Sequence, residues 1–155
     1  MVHADRTLRV NDDPAAPRLT REHVWRGLVM KAENPLPFVP VISSCVVRER
    51  GPDWLTRDIV DNGDPISERV TFDPQRMITF ERTSGRVLGT ILNEIVEDDG
   101  DLLLRFTFTL QIDGVAPGSA EEQAFAANME TGYLMAVGAT LKAMRALVRE
   151  GTLAR

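Results

Sequence analysis

The chain has 155 residues, of which 43% are hydrophobic and 26% charged, and a formal net charge of −5. That length suits one domain with a buried core, and the acidic balance argues against a nucleic-acid partner, which calls for a basic face. No stretch approaches the roughly 18 apolar residues of a membrane span, the N-terminus lacks the apolar run of a secretory signal, and a lone cysteine, Cys45, excludes an internal disulfide, so the expectation is a cytoplasmic protein.

In chain order, Leu8 and Val10 close a short alternating segment that reads as a first strand, ended by the turn-rich Asn11-Asp12-Asp13-Pro14. Thr20 is a good N-cap for a helix carrying Val24, Trp25 and Leu28 and running to about Lys31. Pro35, Pro37 and Pro40 forbid its continuation, leaving room for one short helical turn. From Ser43 to Asp113 the pattern has period two, punctuated by Gly51-Pro52-Asp53, Asn62-Gly63, Asp73-Pro74, Ser84-Gly85 and Asp99-Gly100. Asn-Gly and Asp-Gly favour type I′ hairpins because both central residues need positive φ. Six strands in meander order follow, or seven with the first. After Gly114 to Gly118 a single helix spans about Ser119 to Glu150, roughly 45 Å at 1.5 Å per residue. No repeat or linker interrupts the chain, so one domain over residues 1–155 is expected.

Turn positions also predict registers. A turn at Asp99-Gly100 pairs Ile95 with Leu104, Asn93 with Phe106 and Ile91 with Phe108. A turn at Asn62-Gly63 pairs Ile59 with Ile66 and Arg57 with Glu68, and one at Ser84-Gly85 pairs Arg82 with Val87, Phe80 with Gly89 and Ile78 with Ile91. Opposed residues share a face, and the face so assembled is apolar, from Ile59, Ile66, Val70 and Phe72 through to Leu110 and Ile112. The other face of the last strand reads Arg105, Thr107, Thr109, Gln111. The long helix offers a matching stripe: Phe125, Met129, Tyr133, Ala136, Thr140, Met144 and Leu147. One stripe against one apolar sheet face predicts a two-layer α+β domain.

Residues that break these apolar rows carry the chemistry. Arg57 and Glu68 face each other across one hairpin, Arg82 shares their face, Asn93 sits between Ile91 and Ile95, and Thr140 interrupts the helix stripe. A buried polar group without a partner costs about 1–3 kcal/mol, so each needs a partner or a wet cavity. Two readings stand for the charged trio: an ion-pair ladder near an exposed sheet end, or the polar end of an apolar pocket. Thr140 has a local explanation, a bond back to the Ala136 carbonyl; Asn93 has none. Gly132 and Ala136 leave space along the helix, and Met129 suits an adaptable apolar wall. A pocket would therefore draw on Phe80, Gly89, Ile91, Asn93, Phe106, Phe108, Met129, Tyr133, Ala136 and Thr140, with Arg57, Glu68 and Arg82 at its polar end.

Other chemistries find little support. His3 and His23 are the two histidines and form no ligand cluster with Cys45, so no metal is expected. Asp98-Asp99-Gly100-Asp101 lacks the ligand spacing of a calcium loop. Gly85 and Gly89 read as a turn and a close-approach strand glycine rather than a phosphate loop. Cys45 points inward beside Ile59 and reads as a small hydrophobe.

The segments LTREHVWRGLVMKAENPLPFVPVI, ERVTFDPQRMITFER, GTILNEIVED, DLLLRFTFTLQIDGVAPGSAEEQAF and YLMAVGATLKAMRALV, spanning Leu19 to about Val148, resemble the AtaL-like branch of the START and birch-pollen-allergen (SRPBCC) superfamily. NPLPFVP and GVAPGSAEE are the most specific parts. The resemblance implies the helix-grip fold, a curved antiparallel sheet around a long C-terminal helix with a cavity between them. It supplies no catalytic motif, and the superfamily includes carriers, aromatic polyketide cyclases and oxygenase subunits, so fold does not select function.

The expected function is binding of a small hydrophobic or aromatic molecule without cofactor, by a monomer or homodimer. A cyclase- or dehydratase-like enzyme and a ligand-free interaction module are the alternatives. Binding is preferred over catalysis because Glu68 is the inward carboxylate identified and its arginine neighbours would hold it ionised, while arginine is too weak an acid to donate protons.

Overall fold

The computed structural model describes residues 1–151, apart from the side chains of residues 133 and 134. Its elements in chain order are β1 (Val2–Arg9), α1 (Arg21–Glu33), β2 (Ile42–Arg50), β3 (Trp54–Asp61), β4 (Asp64–Asp73), β5 (Met77–Ser84), β6 (Val87–Asp98), β7 (Asp101–Ile112) and α2 (Ala120–Arg149). The seven strands form one antiparallel sheet in the order β1-β7-β6-β5-β4-β3-β2, so β2 to β7 are a meander and β1 adds to its far edge.

Turn chemistry sets most of the sheet. Asn62 and Gly63 have φ of 51° and 86°, and Asp99 and Gly100 have 53° and 84°, the double positive φ of type I′ hairpins. The resulting pairs include Arg57 with Glu68 and Ile59 with Ile66, and Asn93 with Phe106 and Ile91 with Phe108, as the sequence predicts. The β5–β6 hairpin departs from expectation. Ser84 remains in β5 and pairs with Ser67 of β4, and positive φ falls on Gly85 at 123°. The register therefore moves by two, pairing Phe80 with Ile91 and Arg82 with Gly89. Because the pleat also has period two, that slip leaves every side chain on its predicted face. Irregular steps between Ile42 and Ser44, and between Val47 and Glu49, are bulges of the kind that bend a sheet.

Both helices are capped by their own sequence. Thr20 Oγ1 accepts from the His23 backbone N–H at 3.2 Å, and His23 Nδ1 accepts from the Thr20 N–H at 3.0 Å, closing a reciprocal box. Ser119 caps α2 by accepting from the Glu122 N–H at 3.2 Å. Val24 and Leu28 of α1, and Met144 of α2, have no solvent exposure. Where the helices meet, a Cβ on Gly27 would lie 2.8 Å from Met144 Cγ. A helical glycine sacrifices about 1 kcal/mol of propensity, and here it admits that contact.

The core sits on the predicted sheet face. Ile59, Ile66, Val70, Ile78, Phe80, Ile95, Leu104, Phe106, Phe108 and Leu110 are all buried. Met129, Val137, Leu141, Met144 and Val148 of α2 close over them. No helix among the described residues is long and apolar enough to cross a membrane.

Candidate functional site

Between the sheet and the two helices lies a cavity of about 70 Å³, room for a few waters. The walls are apolar where Phe80, Ile91, Phe106, Phe108, Ala136 and Val137 face inward. At one end the surface becomes polar, with Lys31, Arg57, Asp61, Glu68, Arg82 and Asn93.

The polar end is a buried network. Glu68 Oε1 accepts from Arg57 Nε at 3.0 Å and Nη2 at 2.8 Å. Arg57 Nη1 also donates to the carbonyls of Lys31 at 3.2 Å and Ala32 at 2.8 Å. A guanidinium there satisfies orphan carbonyls at the negative end of the α1 dipole. Arg82 Nη2 donates to Asp61 Oδ2 at 3.0 Å, and its Nε lies 3.5 Å from Glu68 Oε2. Burial pushes the Asp61 carboxyl above its ordinary value, and Arg82 opposes that rise. The charged trio is thus an ion-pair ladder, but not at an exposed sheet end: Arg57 and Glu68 are each 3% exposed and Arg82 7%. Both readings of these residues meet in one place.

Lys31 is the residue that strand counting missed. It enters from the last turn of α1 and donates from Nζ to Asn93 Oδ1 at 2.5 Å. Its Nζ lies 5.3 Å from the Phe80 ring centroid and 5.1 Å from that of Phe106. Two arginines and two carboxylates already balance, so a charged Lys31 would leave an uncompensated buried cation. Burial, then repulsion from Arg57, lowers its pKa from 10.5 to about 7, while Glu68 pulls the other way. The ring faces favour the ammonium too, yet desolvation dominates. A signal was present: Lys31 stands seven residues after Val24 and three after Leu28, on the apolar stripe of α1. Asp61 was legible in the same way, two residues beyond Ile59 on one strand.

Of the residues picked from sequence, Phe80, Ile91, Asn93, Phe106, Phe108, Ala136, Thr140, Arg57, Glu68 and Arg82 line this cavity. Thr140 bonds back to the Ala136 carbonyl at 2.8 Å, which satisfies its hydroxyl within the helix. Gly89 does not line it. Its backbone, at φ 133°, lies so close to β7 that a Cβ would stand 2.1 Å from the Thr109 carbonyl oxygen. Met129 is also displaced, into a groove of about 330 Å³ that it shares with Phe125 and Gly132. That groove and the cavity have Val41, Asp61 and Arg82 in common, so the Arg82–Asp61 pair stands where the two join. The Tyr133 side chain lies outside the described residues.

A meander sheet covered by a long C-terminal helix is an architecture that other proteins share. The family model described as acetylaranotin biosynthesis cluster protein L, AtaL, matches residues 5–151. The chain belongs to the AtaL family. Among solved structures, the AtaL chain is similar to the Zhui aromatase/cyclase from Streptomyces sp. R1128, with a TM-score of 0.67, 18% identity, and 98% of this chain and 96% of that one covered. It is similar to the di-domain aromatase/cyclase StfQ from the steffimycin biosynthetic pathway, with a TM-score of 0.70, 15% identity, and 97% and 52% covered. It is also similar to a START superfamily protein from Mycobacterium smegmatis, with a TM-score of 0.63, 16% identity, and 90% and 97% covered. At such identities the likeness establishes the helix-grip fold. No curated protein sequence matches the chain.

Proposed function

We propose that this AtaL-family protein binds a small, mainly apolar molecule with one oxygen-bearing end, held between the sheet and α2. The observation that carries this reading is the cavity's division into an aromatic wall and a buried polar end with donors to spare. Asn93 is fully buried, yet its Nδ2 has no hydrogen-bond partner, and neither has Arg82 Nε. An orphaned buried donor costs about 1–3 kcal/mol, a cost that a ligand carbonyl, hydroxyl or carboxylate would offset. The fold is shared with aromatase/cyclases and a START protein, which supports a hydrophobic ligand class.

An environment-sensitive apolar dye tests the reading. It should brighten with the wild-type protein, and Ala136→Trp, which places an indole in the cavity, should abolish the signal while far-ultraviolet circular dichroism stays native. A folded wild type that leaves the dye dark overturns the reading, as does equal brightening with Ala136→Trp. An acid–base enzyme using the same cavity is the second reading, favoured by Lys31 alone. The preference for binding weighed Glu68 and its arginines alone, and Lys31, its pKa lowered by burial to about 7, is a further titratable group in the cavity.

A further inference from the structure

Lys31 and Lys142 are the two lysines among the 18 lysines and arginines of the chain. Lys142 lies exposed on the outer side of α2, whereas Lys31 is buried with its amine in the cavity wall. No carboxylate among the described residues stands within ion-pair distance of that amine. Its hydrogen-bond partner is an amide oxygen, Asn93 Oδ1. The other end of the same amide, Asn93 Nδ2, is buried and unpartnered. An electron-pair donor and a vacant hydrogen-bond donor therefore sit side by side at the head of an aromatic-walled cavity.

We propose that Lys31 is a nucleophile that captures small apolar ketones or aldehydes as imines, with Asn93 positioning the amine and donating from Nδ2 to the carbonyl oxygen. This rests on the reading that the cavity admits a ligand. The nitrogen lone pair forms a bond to the carbonyl carbon, and the carbonyl π pair moves to oxygen, which takes a proton. The resulting carbinolamine loses hydroxide from carbon and a proton from nitrogen as one water, and the C=N bond forms. Amine plus carbonyl gives imine plus water, with no oxidant or reductant. Desolvation in an apolar pocket beside another cation is a recognised way to keep a lysine nucleophilic. Arg57 on β3 is that cation here.

The charged groups that line the cavity with the amine are Arg57 and Asp61 from β3, Glu68 from β4 and Arg82 from β5, of which Arg57 and Glu68 act on it directly; the Cys45 thiol of β2, pushed up by burial, also feels Arg57 and Glu68. From β6, β7 and α2 the described side chains that line the cavity are uncharged, with Asn93 and Phe106 in contact with the amine. An amine with a pKa of about 7 is half neutral at pH 7, against roughly one part in 3,000 for an ordinary lysine.

The test uses acetylacetone, a small 1,3-diketone whose lysine adduct is a conjugated enaminone with a near-ultraviolet band of its own. The protein should gain the mass of one diketone less one water, and peptide mapping should place it on Lys31 at least about ten-fold over Lys142. Adduct formation at a fixed time should fall about 20-fold between pH 7.5 and pH 5.5, following the neutral fraction of the amine. Lys31→Arg, which keeps a cation but no nucleophilic amine, and Lys31→Met should both lose the adduct while far-ultraviolet circular dichroism stays native. Should both variants unfold, the Lys31-to-Lys142 ratio within the wild type decides. If the diketone displaces dye with no covalent gain, or labels the two lysines equally, the imine proposal is overturned and the binding reading stands. If neither dye nor diketone binds, the binding reading falls and the imine proposal with it.

Discussion

Replacing Lys31 by methionine removes the one cavity amine and should change how stability depends on pH. In the fold its pKa is about 7, and in the unfolded chain it returns to about 10.5. Below pH 7 both states carry the proton, so the fold bears the full cost of burying an ammonium, about 5 kcal/mol at about 1.4 kcal/mol per tenfold in proton affinity. Above pH 7 the unfolded chain still binds the proton and the folded one does not, so wild-type stability rises with pH. Integrated from pH 7 to pH 9, this gain is about 2 kcal/mol. Lys31→Met lacks the group and should show no such rise. It leaves Asn93 Oδ1 without its partner, a loss of about 1–3 kcal/mol, so the variant should be more stable than wild type by about 2 kcal/mol at pH 7 and near equal at pH 9. Urea unfolding of both proteins at pH 6, 7, 8 and 9 measures this directly. The window stops there because burial raises the Cys45 thiol above 9.0 in the fold, which lowers the stability of both proteins at higher pH. Parallel profiles for the two proteins would refute the assignment of a depressed pKa to Lys31.

Two further substitutions probe the frame around the cavity. Glu68→Gln removes the carboxylate that Arg57 hydrogen-bonds and that lies within ion-pair distance of Arg82, and breaking a buried ion pair from one side should cost about 3–5 kcal/mol, seen in a thermal scan as a melting point lower by roughly 6–20 °C. A loss under about 1 kcal/mol would place the ladder with surface pairs and contradict its burial. Gly89→Ala drives a Cβ to 2.1 Å from the Thr109 carbonyl at a positive φ, so it should cost about 3 kcal/mol or more and expose β6–β7 amides to hydrogen exchange; native-like protection would show that the ladder accommodates the methyl and would contradict the close approach.

What the sequence alone determines here is local or periodic. Asn62-Gly63 and Asp99-Gly100 require positive φ, so they place hairpins, and parity then puts Arg57, Glu68, Arg82 and Asn93 on the core face. Parity even tolerates the two-residue slip at Gly85. Gly89 passes the same parity test yet does not line the cavity; of its two sequence readings the close-approach glycine holds, with no room for a Cβ beside Thr109. The polar end needed three dimensions. Lys31 and Asn93 are 62 residues apart, and only the docking of α1 across the sheet brings an ammonium to that amide. Removal from water is a property of the packed whole, and it is what turns a helix-end lysine into an amine that titrates near neutrality.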